Sequence, residues 1–269
     1  MIKVSIIMSL HNAEIKILKE SVKSILEQSY KDFEFIIVDD INSDKVISYL
    51  NEIIEKDKRV LLTKNKKNIG LTKSLIKGIQ FAKGQYLARQ DADDVSSRNR
   101  IEAQVNYLDR NPKTAILGTW YHEKTDYGYS RIKKPRNISS DLEKDLFLKN
   151  PICHSSSMFQ RSLYNKTGGY NAKYKTCQDL DLWFKLSRVG KIAVVEKNLV
   201  DRNLTNSSLS LSYKSYYQVF NALRIRMKHL FKSRFSVRLF LLIIIGTIYH
   251  FLITLLLPPL RAIKLIFKM

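Results

Sequence analysis

The sequence Tyr86-Leu87-Ala88-Arg89-Gln90-Asp91-Ala92-Asp93-Asp94 joins a short apolar run to a dense group of acids. The apolar residues are typical of a buried strand. The carboxylates that follow repel one another unless a positive charge offsets them. Mg²⁺ and Mn²⁺ commonly take only one or two protein carboxylates and complete their shell with phosphate oxygens. A metal–diphosphate site is one interpretation; a polar turn that caps the next helix at Ser96 or Ser97 is the other.

Apolar strands and amphipathic helices alternate around this segment. Strands are predicted at 3–8, 33–38, 60–63, 86–89 and 114–119. Helices of about 10–15 residues between strands indicate βαβ units and an α/β fold with a doubly wound, mostly parallel sheet. Ligands of such sheets bind at the carboxyl ends of the strands. Asp39 ends the second strand, whereas Asp91 and Asp93 follow the fourth. This convergence favours a ligand site over two chance turns.

A second group of acids lies further along the chain. Asp179 and Asp181 open a segment, 178–186, whose apolar residues have helical spacing. Acids at a helix N-terminus complement the helix dipole, which is one explanation. A carboxylate positioned as a general base is the other. Residues 121–140 are polar and predict an irregular hairpin or loop.

The positive charge is concentrated near the end of the sequence. The formal net charge is +21, and residues 202–269 contain 11 Lys and Arg but no Asp or Glu. The same region contains an uncharged apolar run, 239–257, which as a helix would span about 28 Å, close to the ~30 Å hydrocarbon core of a bilayer. Basic and apolar character together favour an anionic membrane surface rather than nucleic acid as the partner.

A basic amphipathic helix is predicted just before that run. Its apolar stripe is expected to consist of Phe220, Leu223, Met227, Leu230 and Phe231, and the bases off the stripe are Arg224, Arg226, Lys228 and Lys232. Such a helix suits a membrane surface, and the alternative is a helix packed on the preceding domain. We therefore expect a domain at 1–205 and a membrane-associating region at 206–269. If the run spans the bilayer, the positive-inside rule places the first domain on the cytoplasmic face.

Several short motifs, in this order, resemble those of family-2 glycosyltransferases, which are inverting enzymes with the GT-A fold. They cover roughly residues 3–200 and comprise Val4–Asn12, Ile37–Asp40, Asn68–Leu71, Ala88–Asp94 with Arg98, Asn150–His154, Gly168–Tyr170 and Gln178–Trp183. The Ala-Arg-x-Asp-Ala-Asp-Asp version is similar to enzymes that assemble bacterial O-antigen, capsule or exopolysaccharide. The resemblance implies transfer from a nucleotide-diphosphate sugar to a saccharide or lipid-linked acceptor.

The resemblance also implies roles for individual residues. Asp39 would hold the base of the nucleotide, Asp91 would contact the nucleoside, and Asp93 would ligate Mn²⁺ or Mg²⁺ on the diphosphate. Asp179 would be the general base, which leaves Asp181 a structural role. Further residues in matching motifs are expected to line the nucleotide-sugar site: Ser9, Asn12, Asn68 and His154. For His154 an ordinary loop hydrogen bond is the alternative.

Three departures from the family pattern accompany these matches. The first strand ends in Ser9-Leu10-His11 where Pro-Thr-Tyr is usual, Ile41-Asn42-Ser43 replaces Gly-Ser after Asp40, and Gln178 replaces Glu. Rival interpretations are a haloacid-dehalogenase-like phosphatase, a nucleotidyltransferase on a similar sheet, and a non-catalytic basic adaptor for membranes or nucleic acid. The phosphatase needs its acids at the end of the first strand, and the nucleotidyltransferase needs an N-terminal glycine-rich loop; neither is present.

Overall fold

The computed structural model describes residues 2–125, 130–135, 142–204, 215–232, 237, 240–241 and 243–248. Within these ranges, nine strands form one sheet. The strands are β1 (Val4–Leu10), β2 (Phe33–Asp39), β3 (Val60–Lys64), β4 (Tyr86–Arg89), β5 (Val95–Ser96), β6 (Thr114–Thr125), β7 (Ser130–Lys133), β8 (Met158–Gln160) and β9 (Lys191–Leu204). The helices are α1 (Ile15–Leu26), α2 (Asp44–Lys56), α3 (Leu71–Gln80), α4 (Arg100–Arg110), α5 (Leu142–Leu148), α6 (Arg161–Lys166), α7 (Gln178–Ser187) and α8 (Ser215–Lys232), with a short 3₁₀ helix at His154–Ser156.

The sheet has a parallel half and a mixed half. Its order is β3-β2-β1-β4-β8-β6-β9-β5, and β7 pairs with the outer part of β6. The first four strands are parallel, as the sequence predicts. Beyond β4 the sheet is mixed rather than mostly parallel as predicted, because β8 runs antiparallel to both of its neighbours while β6 and β9 pair in parallel. Between β6 and β8 the chain contains β7 and α5 rather than one crossover helix.

Apolar side chains are buried on both faces of the sheet. Along β1, Ile6 and Met8 pack into a core with α1, α2 and α4, whereas Ile7 points into a second core with α3, α5 and α7. A strand buried on both faces needs no polar alternation, which explains the continuous apolar runs of β1 and β2. The two cores lie on the faces of the sheet, and the carboxyl ends of the parallel strands lie together at one edge.

The long strand β9 was not anticipated from the sequence. Charged residues interrupt its apolar positions, so its pattern is not a clean alternation. It pairs in parallel with β6, with register shifts around Trp120, and its far end pairs with β5 beside the acidic loop. The hairpin predicted within 121–140 is confirmed where β6 pairs with β7.

Helix α8 lies where the basic amphipathic helix is predicted, and one of its faces packs against α5 and α7. Ile225 and Leu230 are buried, as is Arg226, whose Nε donates to the carbonyl of Leu146 at 3.0 Å. Of the predicted apolar stripe, Phe220 and Phe231 are 65% and 68% exposed, whereas Leu230 is buried. Lys228 and His229 face inward and contact Asp181 of α7, whereas Arg224 is exposed.

Beyond α8 only part of the predicted apolar run is described. Residues 240–241 and 243–248 are helical, and the remainder of 239–257, with everything after it, lies outside the described residues. In the portion of the chain that is described, no helix combines the length and hydropathy that a membrane crossing requires. The division into domains at 205 and 206 stays a prediction.

Candidate active site

The acidic loop that follows β4 begins with an ion pair. The Asp91 carboxylate accepts a hydrogen bond from the guanidinium of Arg89, which is fully buried. Burial opposes ionisation of Asp91, but the charge of Arg89, with those of Arg202 and Arg100, outweighs it in sum, and the pKa of Asp91 is lowered. Arg89 also donates to the carbonyls of Ile7 and Gln90, which fixes its guanidinium below the loop. Asp91 is therefore a carboxylate with a built-in counter-ion.

Asp93 and Asp94 are held differently from Asp91. Burial and the charge of Asp91 raise the pKa of Asp93 to about 6. The same two effects, with Asp93 added, raise the pKa of Asp94 well above its usual range. Asp94 is buried and accepts from the Ser155 hydroxyl and from the backbone N–H of Asn203 at 2.9 Å. Asp94 thus joins the loop to the 3₁₀ helix and to β9, while Asp93 stays partly exposed.

A buried polar network supports the loop from behind. Arg100 is fully buried and donates to the carbonyl of Arg89 at 2.6 Å and to Gln90 Oε1 at 2.9 Å. Gln90 Nε2 donates in turn to the carbonyl of Asp94 at 2.6 Å. Ser96 Oγ donates to Gln90 at 2.7 Å, and α4 begins only at Arg100. Residues 92–93 do form a turn, but the N-cap of α4 is Asn99, so the prediction of Ser96 or Ser97 as the cap is wrong.

The carboxyl ends of β1 and β2 form the neighbouring part of the site. Asp39 is buried, and its Oδ1 accepts a hydrogen bond from Asn42 Nδ2 at 2.6 Å. The adjacent Asp40 accepts from the backbone N–H groups of Ile69 and Gly70, both at 2.8 Å. Asp40 therefore fixes the loop before α3, a structural role that the sequence did not single out.

The predicted donor-site residues of the first motifs lie around this edge. Ser9 is half-buried in β1 and pairs with Val38 in the register of the sheet. Asn12 adopts a φ of 48°, in the left-handed region that Asn tolerates better than most residues. The His11 ring bonds the carbonyl of Asp40 through Nδ1 at 2.7 Å and accepts from Asn68 Nδ2 through Nε2 at 2.9 Å. His11 thereby connects three loops at the edge of the sheet.

Asp179 lies in the first turn of α7, close enough to Asp91 of the acidic loop to be affected by its charge. Asn150 Nδ2 donates to Asp179 Oδ2 at 2.6 Å, which joins the Asn150–His154 motif to the helix. Burial raises the pKa of Asp179, and the charge of Asp91 adds to the effect. Residues 150 and 179 are far apart in sequence, so only the fold brings this amide to this carboxylate.

Asp181 points the opposite way, into the contact between α7 and α8. It is fully buried and is bonded by Lys185 Nζ at 3.0 Å, Lys228 Nζ at 2.9 Å and His229 Nε2 at 3.1 Å. Burial opposes its ionisation, but the contacts with His229, Lys228 and Lys185 together outweigh it and lower the pKa of Asp181. Its pairing with bases agrees with the structural role expected for Asp181.

His154 forms a hydrogen bond within the fold. Its Nε2 lies 2.6 Å from the Tyr170 hydroxyl, and its ring meets those of Tyr170 and Trp183 edge to face. Burial, with the charge of Arg89 adding to it, lowers the pKa of His154 to about 3. The imidazole is therefore neutral at physiological pH. It joins the acidic loop region to the segment that leads into α7.

Arg202 in β9 is a site residue that sequence reasoning missed. Its guanidinium contacts Glu123 Oε1 at 3.2 Å, and its charge favours the ionised forms of Asp91, Asp93 and Asp179. The next residue, Asn203, donates Nδ2 to the carbonyl of Asp93 at 2.5 Å. No sequence signal could have found this base, since its position follows from the unpredicted strand.

The fold is that of GT-A glycosyltransferases. S. aureus TarS 1-349, solved in complex with UDP-GlcNAc, matches with a TM-score of 0.71 at 16% identity over 90% of this chain and 70% of that one. The mannosyltransferase PcManGT from Pyrobaculum calidifontis, solved with GDP-Man and Mn²⁺, matches with a TM-score of 0.66 at 18% identity over 94% of this chain and 70% of that one.

The family follows from the sequence comparisons. The family model for glycosyl transferase family 2 matches residues 5–168. An uncharacterized glycosyltransferase of Methanocaldococcus jannaschii is 32% identical over 78% of this chain and 73% of its own length. The amylovoran biosynthesis glycosyltransferase AmsE of Erwinia amylovora is 25% identical over 69% of this chain and 70% of its own. The chain belongs to glycosyl transferase family 2, which confirms the resemblance found in its motifs.

Proposed function

We propose that this chain transfers a sugar, with inversion, from a nucleotide-diphosphate sugar to a saccharide acceptor in the assembly of a bacterial surface polysaccharide. One observation carries the proposal. The carboxyl groups of Asp93, in the acidic loop after β4, and of Asp179, in the first turn of α7, both have a raised pKa. Among the described residues neither forms an ion pair with a base, whereas Asp91 and Asp181 both do. The relative named for amylovoran biosynthesis supports the polysaccharide context.

Asp93 is the residue we assign to a divalent cation. No three His, Cys, Asp or Glu residues converge as metal ligands in the described ranges, so a cage made of protein alone is not expected there. One partly exposed carboxylate of raised pKa fits Mn²⁺ or Mg²⁺, because these ions take phosphate oxygens for much of their shell. The bound ion supplies Lewis-acid stabilisation of the charge that develops on the departing diphosphate. Arg202 adds a fixed positive charge beside the same carboxylates.

Asp179 is the residue we assign to the acceptor. A sugar hydroxyl is a poor nucleophile, so a base that removes its proton during attack contributes about 10²–10⁴-fold. The raised pKa of Asp179 makes it a better base than an exposed Asp, and the bond from Asn150 orients its carboxylate. Attack on the face of the donor opposite the diphosphate inverts the anomeric centre and needs no covalent intermediate.

A lipid-linked acceptor on a membrane is the second element of the proposal. The exposed large apolar residues of the described chain concentrate in and after α8: Tyr217, Phe220, Phe231, Val237, Leu241, Ile245 and Ile248. A concentration of exposed apolar side chains in one part of a chain is typical of a surface that contacts a partner or a membrane. The high positive charge of the same region favours an anionic lipid surface as that partner. We assign the cytoplasmic face of the membrane, where nucleotide sugars are available.

Hydrolysis of nucleotide sugars without acceptor tests the enzymatic part. The full chain is incubated with UDP-, GDP- and dTDP-sugars, with and without Mn²⁺, and release of the nucleoside diphosphate is measured. We expect release from at least one donor that depends on the cation and is lost in Asp93→Asn. A chain that hydrolyses none of them and binds none of the corresponding nucleotides would be an adaptor instead.

Flotation with vesicles tests the membrane part. The full chain should float with vesicles that contain anionic lipid, and Phe231→Glu should reduce the bound fraction because it places a charge on the exposed apolar face. Phe81→Glu is the matched control, since Phe81 is 44% exposed at the end of α3, outside this region. Equal loss of binding in both variants, or no loss in Phe231→Glu, would contradict the assignment of this face.

A further inference from the structure

The candidate base Asp179 follows a turn of unusual backbone conformation. Cys177, the residue before α7, has a φ of 56°, in the left-handed region that residues other than glycine seldom adopt. A helix usually begins from extended backbone with a side chain bonded to its first turn, but the Cys177 side chain makes no such bond. A left-handed residue of this kind persists where surrounding contacts hold it. The direction in which α7 presents Asp179 therefore depends on what holds this turn.

Two neighbouring helices hold the turn before α7. The hydroxyl of Thr72 in α3 donates to the carbonyl of Tyr174 at 2.7 Å. From α8, Asn221 Nδ2 donates to the hydroxyl of Thr176 at 2.8 Å. The thiol of Cys177 donates to a carbonyl in the first turn of α8 at 3.4 Å. Both contacts with α8 lie within three residues of the candidate base.

A further attachment to α8 lies on the other side of Asp179. Asp181 accepts from Lys228 Nζ at 2.9 Å and lies 3.1 Å from His229 Nε2. Asp179 therefore lies between two points at which the chain is bonded to α8, whereas its own carboxylate is bonded by Asn150. A shift of α8 relative to α7 would change where the base lies relative to the acidic loop.

We propose that Asn221 is a positioning residue for the general base: through Thr176 it holds the turn that directs Asp179 toward the acceptor hydroxyl. The inference rests on the proposed function, in which Asp179 takes the proton of that hydroxyl. Asn221 itself touches no reacting atom. Proton transfer needs the base within about 2.6–3.2 Å of the hydroxyl, so a small displacement of the carboxylate lowers the rate without changing how the donor binds.

This role adds a second task to the helix that we assign to the membrane surface. Phe220 and Phe231 of α8 are exposed, whereas Asn221 is half-buried against the segment before α7. The apolar residues assigned to the lipid and the amide that holds the base therefore belong to different sides of one helix. With this role, α8 belongs to the catalytic unit, although it follows residue 205.

Hydrolysis of a nucleotide sugar tests the inference, with water in place of the unidentified acceptor. Water attacks the anomeric carbon, its proton passes to Asp179, and the nucleoside diphosphate leaves. The probe is whichever UDP-, GDP- or dTDP-sugar the full wild-type chain hydrolyses with Mn²⁺. We expect Asn221→Ala and Thr176→Val each to lower kcat by about tenfold, the effect of losing one hydrogen bond, while the KM for the donor stays within about twofold.

Three further variants separate positioning from stability. Thr176→Ser keeps the hydroxyl and should regain the rate that Thr176→Val loses. The double variant Asn221→Ala with Thr176→Val should be no slower than either single variant, because both changes remove the same bond. Ile225→Val shortens a buried apolar side chain of α8, so it should lower the melting temperature and leave kcat unchanged.

The outcomes separate this role from the function on which it rests. A wild-type kcat in folded Asn221→Ala overturns the role of Asn221 and leaves the glycosyltransferase function intact. An equal loss of kcat in Ile225→Val also overturns it, since the loss would then follow stability. If Asn221→Ala does not fold, the pair Thr176→Val and Thr176→Ser decides. A wild-type chain that hydrolyses none of the donors instead contradicts the proposed function, and wild-type hydrolysis by Asp179→Asn contradicts the assignment of the base.

Discussion

The chain contains two Asp-x-Asp pairs, Asp91-Ala-Asp93 after β4 and Asp179-Leu-Asp181 in α7. Both pairs show the same electrostatic pattern. In each pair one acid is neutralised by bases and has a lowered pKa: Asp91 by Arg89, and Asp181 by lysines and a histidine. The other acid, Asp93 or Asp179, has a raised pKa and no ion pair with a base among the residues described.

The difference between the pairs lies in how the two acids are separated. In the loop after β4, Asp91 and Asp93 stay close enough for the charge of Asp91 to raise the pKa of Asp93. On α7, residues two apart do not share a face of the helix, so Asp179 points to the site and Asp181 into the α7–α8 contact. In the loop, the charge of one acid therefore raises the pKa of the other. On the helix, the two acids face different surroundings, which set the pKa of each separately.

The largest effect is expected for Asp93→Asn. Loss of the cation ligand removes several kcal/mol of charge stabilisation, so turnover should fall by ~10³-fold or more. Mn²⁺-dependent binding of the donor should disappear in calorimetry. Because ionised Asp93, with its raised pKa, costs the fold free energy above pH 6, the melting temperature at pH 7.5 should be equal or higher. Full donor binding by the variant would remove Asp93 from the metal site.

The next effect concerns Asp179→Asn. The amide that replaces the carboxylate can still accept the hydrogen bond from Asn150, but it cannot take a proton from the acceptor. Turnover should therefore fall by about 10²-fold or more. Donor affinity should stay close to that of the wild type, because the metal site is separate. Transfer kinetics and donor titration measure the two quantities. An active Asp179→Asn beside an inactive but well-folded Asp181→Asn would move the base to Asp181.

Asp181→Asn should affect stability rather than turnover. The lowered pKa of Asp181 means that its ionised form stabilises the fold above the pKa it has when unfolded, and this contribution is lost as pH falls through the folded value. The variant leaves Lys185 and Lys228 without their acid, which should cost about 3 kcal/mol at neutral pH. Denaturant melts give this value, and the turnover of the folded fraction should be unchanged. A free energy of unfolding equal to that of the wild type would show that the ion pairs of Asp181 make no net contribution to stability.

The smallest effect is a pH dependence of cation binding. Asp93 must lose its proton to ligate a cation, and its pKa is about 6. The apparent affinity for Mn²⁺ in the presence of UDP should therefore fall by about tenfold for each pH unit below 6 and level off above 7. Titrations at several pH values between 5 and 7.5 measure it. A flat profile in the wild type would show that another group holds the cation.

The sequence predicted where the acids of the candidate site lie in the fold, because its motifs are short and local. The acids that follow β2 and β4 lie at the carboxyl ends of parallel strands, and the strand–helix alternation alone places them at one edge of the sheet. The start of α7 at Gln178 and the parallel pairing of β1 to β4 were likewise accessible, since hydrophobic spacing reports local structure directly.

What each acid does was decided by the tertiary structure, because partners distant in sequence set the charge of a carboxyl. Asn150 reaches Asp179, and Lys228 reaches Asp181, only after α7 has packed against its neighbours. The same holds for Arg202, which the pairing of β9 with β6 brings to the acidic loop, and for the inward-facing bases of α8. Hydrophobic periodicity measures which residues avoid water. It carries no information about which buried charge will meet which, since that depends on contacts between elements.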